Sequence, residues 1–357
     1  MGLPSINITF QTKGASAIER GTKGALAMIL LDVVGVAGNY VLESISDIPA
    51  GLSADNKEQI SLAFLGGVAT PSKILLTVVT KAGTGDTDIT NALGYIETVK
   101  FDYFVFPEIS DTQVISTMAW IKGLRTNKRT VKAVLPNAGG DSEAVINFAS
   151  DGIKVGAKTY TAKQYCSRIA GMAVGNPLTQ SLTFQSLPEV TDVVPHLSKT
   201  DLDAAIDAGK LVIFHDGEKV KIARGINSLV TISDVHGDAF KKIKIVDTLD
   251  MISNDISETV NDNYIGKVTN NYDNKCVLIS AINGYFDVLV NQNVIDKGSI
   301  SEIDIESQIA YLKTAGKYVV GMNTQAVKEA NTADNVFLKA NVAPLDAMEN
   351  IALNIAL

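Results

Sequence analysis

The sequence predicts an α/β protein, α+β overall. A mainly parallel α/β middle domain is followed by a C-terminal α+β domain, with extended β-strand arms at the N and C termini. Three observations predict this. Continuous apolar runs such as KILLTVV and YFVFPE suit strands covered on both faces. They alternate with segments of helical periodicity, which favours a parallel sheet flanked by helices. At the two ends, apolar residues alternate at period two, the mark of a strand with one apolar face.

The elements follow in order. In GLPSINITFQ, Ile6, Ile8 and Phe10 alternate with Ser5, Asn7, Thr9 and Gln11. The glycine-punctuated TKGASAIERGTKG after it reads as a flexible connector. ALAMILL, residues 25–31, follows Lys13, Arg20 and Lys23, so a secretion signal has to be weighed. It lies late, Glu19 sits among the basic residues, and strand-like DVVGVAGNY follows, so it reads as a buried strand. NYVLESI alternates as a strand, and NKEQISLAFLGG carries Ile60, Ala63 and Phe64 on one helical stripe. KILLTVV is a strand, and TKAGTGDTDITN is a loop by composition.

YFVFPE reads as a strand, and DTQVISTMAWIKGLRTN as a helix with Val114, Ile115, Met118 and Ile121 inward and Trp120 packing at its edge. VKAVLP is the next strand, and TAKQYCSRIAGMAVGNP a helix ended by Gly175 and Pro177. KLVIFHDGEKVKIARGI is a hairpin around Asp216-Gly217. KIVDTLDMISNDISETV is a helix with Ile245, Leu249, Ile252 and Ile256 inward and its acids outward. KCVLISAINGYFDVLV is another helix, broken or bent at Gly284, and no period of 20 to 50 residues recurs. The expected divisions are an N-terminal arm at 1–22, a small αβ region at 23–95, the middle domain at 96–195, the C-terminal domain at 196–335 and a C-terminal arm at 336–357. In that last arm Ile351, Leu353, Ile355 and Leu357 point one way, and Asn350, Ala352, Asn354 and Ala356 the other.

Composition narrows the function. The 357 residues are 46% hydrophobic and 20% charged, an ordinary globular balance. A net charge of −8 without a Lys/Arg cluster argues against nucleic acid as a partner and against an anionic membrane surface. No stretch approaches the roughly 20 apolar residues of a membrane span. Cys166 and Cys276 are expected as separate reduced thiols, in keeping with a soluble intracellular product.

Chemistry is sparse. KAGTGDTD lacks both the third glycine of a dinucleotide fingerprint and the Gly-Lys-Ser/Thr of a phosphate loop. Asp247, Asp250, Asp255, Glu258 and Asp262 do not follow the ligand spacing of a calcium loop and are expected on a solvated helix face. His196, His215 and His236 sit near no Gly-x-Ser-x-Gly elbow. No catalytic, metal or cofactor site is therefore expected.

At KVKIARGINSLVT, FKKIKIVDTLDMI and YIGKVTNNYDNKCVLISAINGYFDVLV the chain resembles the tail sheath proteins of contractile phage tails. It is most similar to the compact sheaths of Gram-positive prophages and tail-derived bacteriocins. GLPSINITFQTKGASAIERGTKGALAMI and NVAPLDAMENIALNI resemble that family's two ends. The resemblance implies a structural subunit that polymerises as stacked hexameric rings around a tail tube, and that contracts to drive the tube through a cell envelope. It implies arms that add strands to neighbouring subunits, with Ile6, Ile8 and Phe10 at one end and Ile351, Leu353, Ile355 and Leu357 at the other. Its implied partners are copies of itself, the tail tube protein, and baseplate and tail terminator proteins, with neither nucleic acid nor direct membrane insertion. It also implies synthesis in a bacterial cytoplasm and release by lysis within a virion tail or tail-like particle. KGASAIERG and NTADN are the expected hinges. Two rival readings are a cytoplasmic, hydrolase-like α/β enzyme forming a strand-exchanged small oligomer with a histidine-lined pocket, and a shell or tube protein of fixed length.

Overall fold

The computed structural model describes residues 17–18, 24–33, 36–80, 86–233 and 237–356. The expected N-terminal strand of Ile6, Ile8 and Phe10 lies outside these, as do most of KGASAIERG, His236 and Leu357. The chain divides into two compact units, Thr22–Ser253 with Asp346–Leu357, and Met1–Gly21 with Asn254–Leu345.

The larger unit is built on one sheet. Its elements are β1 (Ala25–Asp32), β2 (Gly38–Leu42), α1 (Ala54–Phe64), β3 (Lys73–Thr80), α2 (Asp86–Glu97), β4 (Tyr103–Val105), α3 (Asp111–Thr126), β5 (Lys132–Pro136) and β6 (Val145–Phe148). There follow β7 (Ile153–Val155), β8 (Lys158–Tyr160), α4 (Ala162–Gly175), β9 (Asp192–Val193), α5 (Lys199–Asp207), β10 (Lys210–Leu211), β11 (Ile213–His215) and β12 (Val220–Ile222). Among the described residues the main sheet has seven strands in the order β10-β6-β5-β4-β1-β3-β2. All neighbours are parallel except the edge pair β2 and β3.

β1 explains the sheet's two cores. All eight of its residues are buried. Leu26, Met28 and Leu30 join a cluster with α1 and α4 side chains, while Ala27, Ile29 and Leu31 join one with α2 and α3 side chains. Period-two geometry sends alternate side chains to opposite faces, so a wholly apolar strand must lie between two helical layers. On the first face α1 and α4 pack closely: a Cβ added at Gly171 would stand 2.0 Å from the Ala63 carbonyl oxygen. Ser110 and Gln113 close a capping box on α3, and Thr161 and Gln164 one on α4.

Several expectations need correction. The loop expected over TKAGTGDTDITN gives way to α2 from Asp86, because Ile89, Ala92 and Ile96 recur at helical spacing and bury on the second face. On α3, Ile115 is 66% exposed and Thr117 is buried, so the inward stripe runs Val114, Thr117, Ile121, Leu124.

Helix α6 (Ile243–Asn263) contributes Ile243–Ser253 to the larger unit and Asn254–Asn263 to the smaller. The smaller unit continues with α7 (Tyr272–Asn291), β13 (Ile300–Ile303), α8 (Ile305–Thr314), α9 (Thr324–Glu329) and β14 (Leu338–Asn341). α7 runs unbroken through Gly284, where the expected break is overridden by burial of Ile282, Tyr285, Phe286 and Leu289. An interior glycine costs a helix about 1 kcal/mol, less than these side chains recover. β13 and β14 form an antiparallel pair, with Glu302 opposite Lys339 and their charges 3.1 Å apart. NTADN, expected as a hinge, is a hydrogen-bonded turn: Asn335 N–H donates to the Thr332 carbonyl, and Asn270 Nδ2 reaches Thr332, Ala333 and Asn335.

Candidate functional site

The C-terminal segment leaves the fold in two stages. Up to Leu345 it is paired: Asp296 N–H donates to the Ala343 carbonyl at 2.7 Å, and Leu345 N–H to that of Val294 at 3.0 Å. In the larger unit, Asp346 and Glu349 then hold it to loops near β12. Asp346 pairs with Lys242. Glu349 is the stronger anchor. The Ser181 and Thr183 hydroxyls lie 2.8 and 2.6 Å from its Oε1, and Arg224 Nε and Nη2 donate to Oε2 at 3.2 and 3.1 Å. Lys242 Nζ stands 3.7 Å away, and the Glu349 side chain is only 7% exposed. Burial alone would raise its pKa. The hydroxyl hydrogen bonds and the Lys242 and Arg224 charges outweigh that and hold it below the ordinary glutamate value.

Local pairing assembles this socket. Ser186 bridges to Lys221 and Ile226 to Lys242, while Thr183 Oγ1 accepts from Gly225 N–H at 3.0 Å. Residues from three separate stretches of sequence thus converge on one carboxylate. Sequence reasoning missed it, although an acid immediately before the uncharged alternating run Asn350–Leu357 was a signal.

Past the anchor the chain is bare. Ile351, Leu353 and Ile355 are 83%, 77% and 76% exposed, and Met348, just before the anchor, is 93% exposed. Residues 345–356 belong to no strand of their own chain. Leu357 lies outside the described residues, so the placement of that member of the set is not part of the geometry.

A second cluster corrects the sequence reading of α6. Asp247, Asp250 and Asp255 are not solvated but buried. Lys132 Nζ on β5 pairs with Asp250, and with Asp247 Oδ1 at 3.1 Å. Arg125 of α3 grips Asp250 through two nitrogens, at 3.0 and 3.1 Å, and Glu143 through Nε at 3.0 Å. The Tyr103 hydroxyl donates to Asp247 at 2.7 Å; in the smaller unit, as a separate pair, the Tyr285 hydroxyl donates to Asp255 at 2.6 Å. Burial lowers the Lys132 pKa, but the Asp250 and Asp247 carboxylates more than offset it and keep the ammonium charged. Lys132 inside the apolar run VKAVLP was the overlooked sign, since a buried lysine needs an acid.

None of this is catalytic machinery. His196 Nε2 lies 2.7 Å from Asp192 on the surface, and His215 Nδ1 accepts from Gly217 N–H. Cys166 and Cys276 are both free, and burial pushes the Cys166 thiol pKa up. Among the described residues no His/Cys/Asp/Glu group is arranged to hold a metal, and no helix is long and apolar enough to cross a membrane.

Comparison with known proteins decides the family. The model for the phage tail sheath protein central domain matches residues 82–228, and that for the phage tail sheath C-terminal domain matches residues 236–357. A tail sheath protein of Clostridium phage phiCD119 is 38% identical over 360 residues, covering 99% of both chains. The chain belongs to the phage tail sheath family. The fold agrees. The crystal structure of a sheath tail protein from Desulfitobacterium hafniense superposes with a TM-score of 0.73 at 17% identity, over 84% of this sheath chain and 94% of the other. The helical sheath of the anti-feeding prophage in its contracted state superposes with a TM-score of 0.70 at 14% identity, over 100% and 99%. The sheath protein is a structural component of a phage tail or tail-like particle, and the enzyme reading falls.

Proposed function

We propose that this sheath protein polymerises by strand exchange into stacked hexameric rings around a tail tube, and that the assembly shortens to drive the tube through a cell envelope. One observation carries the reading. Glu349 fixes the root of a segment whose apolar side chains Ile351, Leu353 and Ile355 stand more than three-quarters exposed. A strand with unpaired N–H and C=O groups and a bare apolar face is satisfied by the edge of another chain's sheet. β13 and β14 supply a receiving sheet: among the described residues they form a two-stranded ribbon, marginal alone, with two edges, one for each arm of neighbouring copies. Ile6, Ile8 and Phe10 are the proposed contacts of the second arm. Donor and acceptor surfaces differ, so the contact is heterologous and propagates as rings and helices rather than closing as a dimer.

Contraction then needs no nucleotide. Subunits held in a strained extended lattice turn largely as rigid bodies into one with more buried interface, the arms keeping the lattice connected. The remaining partners are the tube, baseplate and tail terminator proteins, with neither nucleic acid nor inserted membrane. Synthesis is in the bacterial cytoplasm and release is by lysis.

Negative-stain microscopy of the full chain beside a version ending at Asn350 tests this. Striated tubes from the first and monomers from the second are expected. Small uniform particles from both would refute strand-exchanged polymerisation.

A further inference from the structure

In the smaller unit, a cavity of about 780 Å3 opens between the end of α6, the start of α7 and the 332–336 turn. Its walls include Val260, Ile265, Val268 and Val336, all aliphatic, and its polar lining includes Lys275 and Asn270. Asp334 also lines the cavity, yet Lys275, only 4% exposed, makes no ion pair with it or with any other carboxylate among the described residues. Its Nζ reaches Gln308 Oε1 at 3.4 Å and Thr332 Oγ1 at 3.3 Å, two long contacts to neutral groups. An ammonium has three donors, and buried charges are ordinarily paired. The contrast with Lys132, which is equally buried and meets two aspartates, is direct. Beside it, Asn270 Oδ1 is buried without a hydrogen-bond partner. Burial alone pulls the Lys275 pKa down.

We propose that this cavity receives an acid-bearing aliphatic segment from a second copy of the chain, whose carboxylate pairs with Lys275. The Lys275 ammonium, which lacks a counter-charge, and the unpartnered Asn270 Oδ1 are together complementary to a peptide. A side-chain carboxylate answers the ammonium, and a backbone N–H answers Asn270 Oδ1. A free inorganic anion would satisfy the first, offer no donor to the second and leave the aliphatic walls wet. Charge favours a second copy. Subunits of net charge −8 repel on assembly, and a cation with no internal counterion offers a specific place for a neighbour's acid. The inference rests on the assembly reading above and adds a contact separate from the arms.

The test uses full-length chain, half of it labelled with 15N, polymerised and treated with a water-soluble carbodiimide before digestion and mass spectrometry. The expected result is an amide joining Lys275 to an Asp or Glu in mixed-isotope peptides, found in polymer and absent from free chain. Reactivity of Lys275 toward acetic anhydride should also fall by about tenfold or more on polymerisation, as a paired and covered ammonium requires. Lys275→Met should keep the monomer folded, with an undiminished thermal midpoint, yet raise the concentration needed to polymerise by about tenfold. Polymer in which Lys275 stays uncoupled and as reactive as in the free chain would overturn this contact alone. Wild-type chain that forms no polymer would remove the assembly reading and this inference with it.

Discussion

Strand β1 and the C-terminal segment contrast within one unit of the molecule. Both are rich in aliphatic residues, and both invite reading as strands. β1 lies between β3 and β4 and hides every residue, whereas Ile351, Leu353 and Ile355 stand more than three-quarters exposed. An apolar strand thus announces that it will be buried without saying by whom. Topology supplied β1 with neighbours on both edges. For the last residues it supplied only points of attachment, at Asp346 and Glu349.

Substitutions that test this contrast should form a graded series in monomer stability, read by denaturant unfolding. The largest effect is expected at Lys132→Met. It leaves Asp247 and Asp250 buried without their shared cation, and should cost about 3–5 kcal/mol. A loss below about 1 kcal/mol would mean that the acids find water or protons instead. Next, Leu30→Ala should cost about 2–5 kcal/mol, as expected for a cavity under two helices.

Glu349→Gln keeps the shape but loses charge facing Arg224 and Lys242, for about 1–2 kcal/mol. Its readout is local: greater mobility of residues 346–356, followed by a spin label at Met348→Cys, with the sheet unchanged. The same region should respond to acid. Glu349 has its pKa lowered by folding, so its contribution is complete above the ordinary value of 4.5 and is lost as pH falls through the lower folded value. The mobility of residues 346–356, read by a spin label at Met348→Cys, should therefore rise between about pH 5 and pH 3, before the sheet opens. Unchanged mobility would show that Asp346 and the backbone alone hold the segment.

The smallest effect belongs to the most apolar change. Leu353→Asp with Ile355→Asp should move monomer stability by no more than about 0.5 kcal/mol, because the side chains are more than three-quarters exposed. Assembly should nevertheless be lost. A double mutant that destabilises the monomer by several kcal/mol would end the contrast with β1.

Much of the fold was legible in residue spacing. The runs of β1, β3, β4 and β5 and the apolar stripes of α1 and α6 follow from periodicity, which depends on backbone geometry alone. The errors share one cause. Ile115 and Thr117 exchanged places, and α7 passed straight through Gly284, because neighbouring layers decided which face was covered and which break was tolerated. α2 formed where composition suggested a loop, since Ile89, Ala92 and Ile96 had a sheet face to cover.

By itself the sequence determined the succession of strands and helices, the family resemblance and the one-faced character of the C-terminal segment, all properties of short windows of chain. Only the tertiary structure decided which charges are internal. Asp247 and Asp250 look like any acids on a surface helix until Lys132 and Arg125 are carried to them by strand β5 and helix α3. Glu349 looks like a break in an apolar strand until Ser181, Thr183 and Arg224 gather around it. Electrostatic partners are set by distance through space, and no local spacing rule reports that distance.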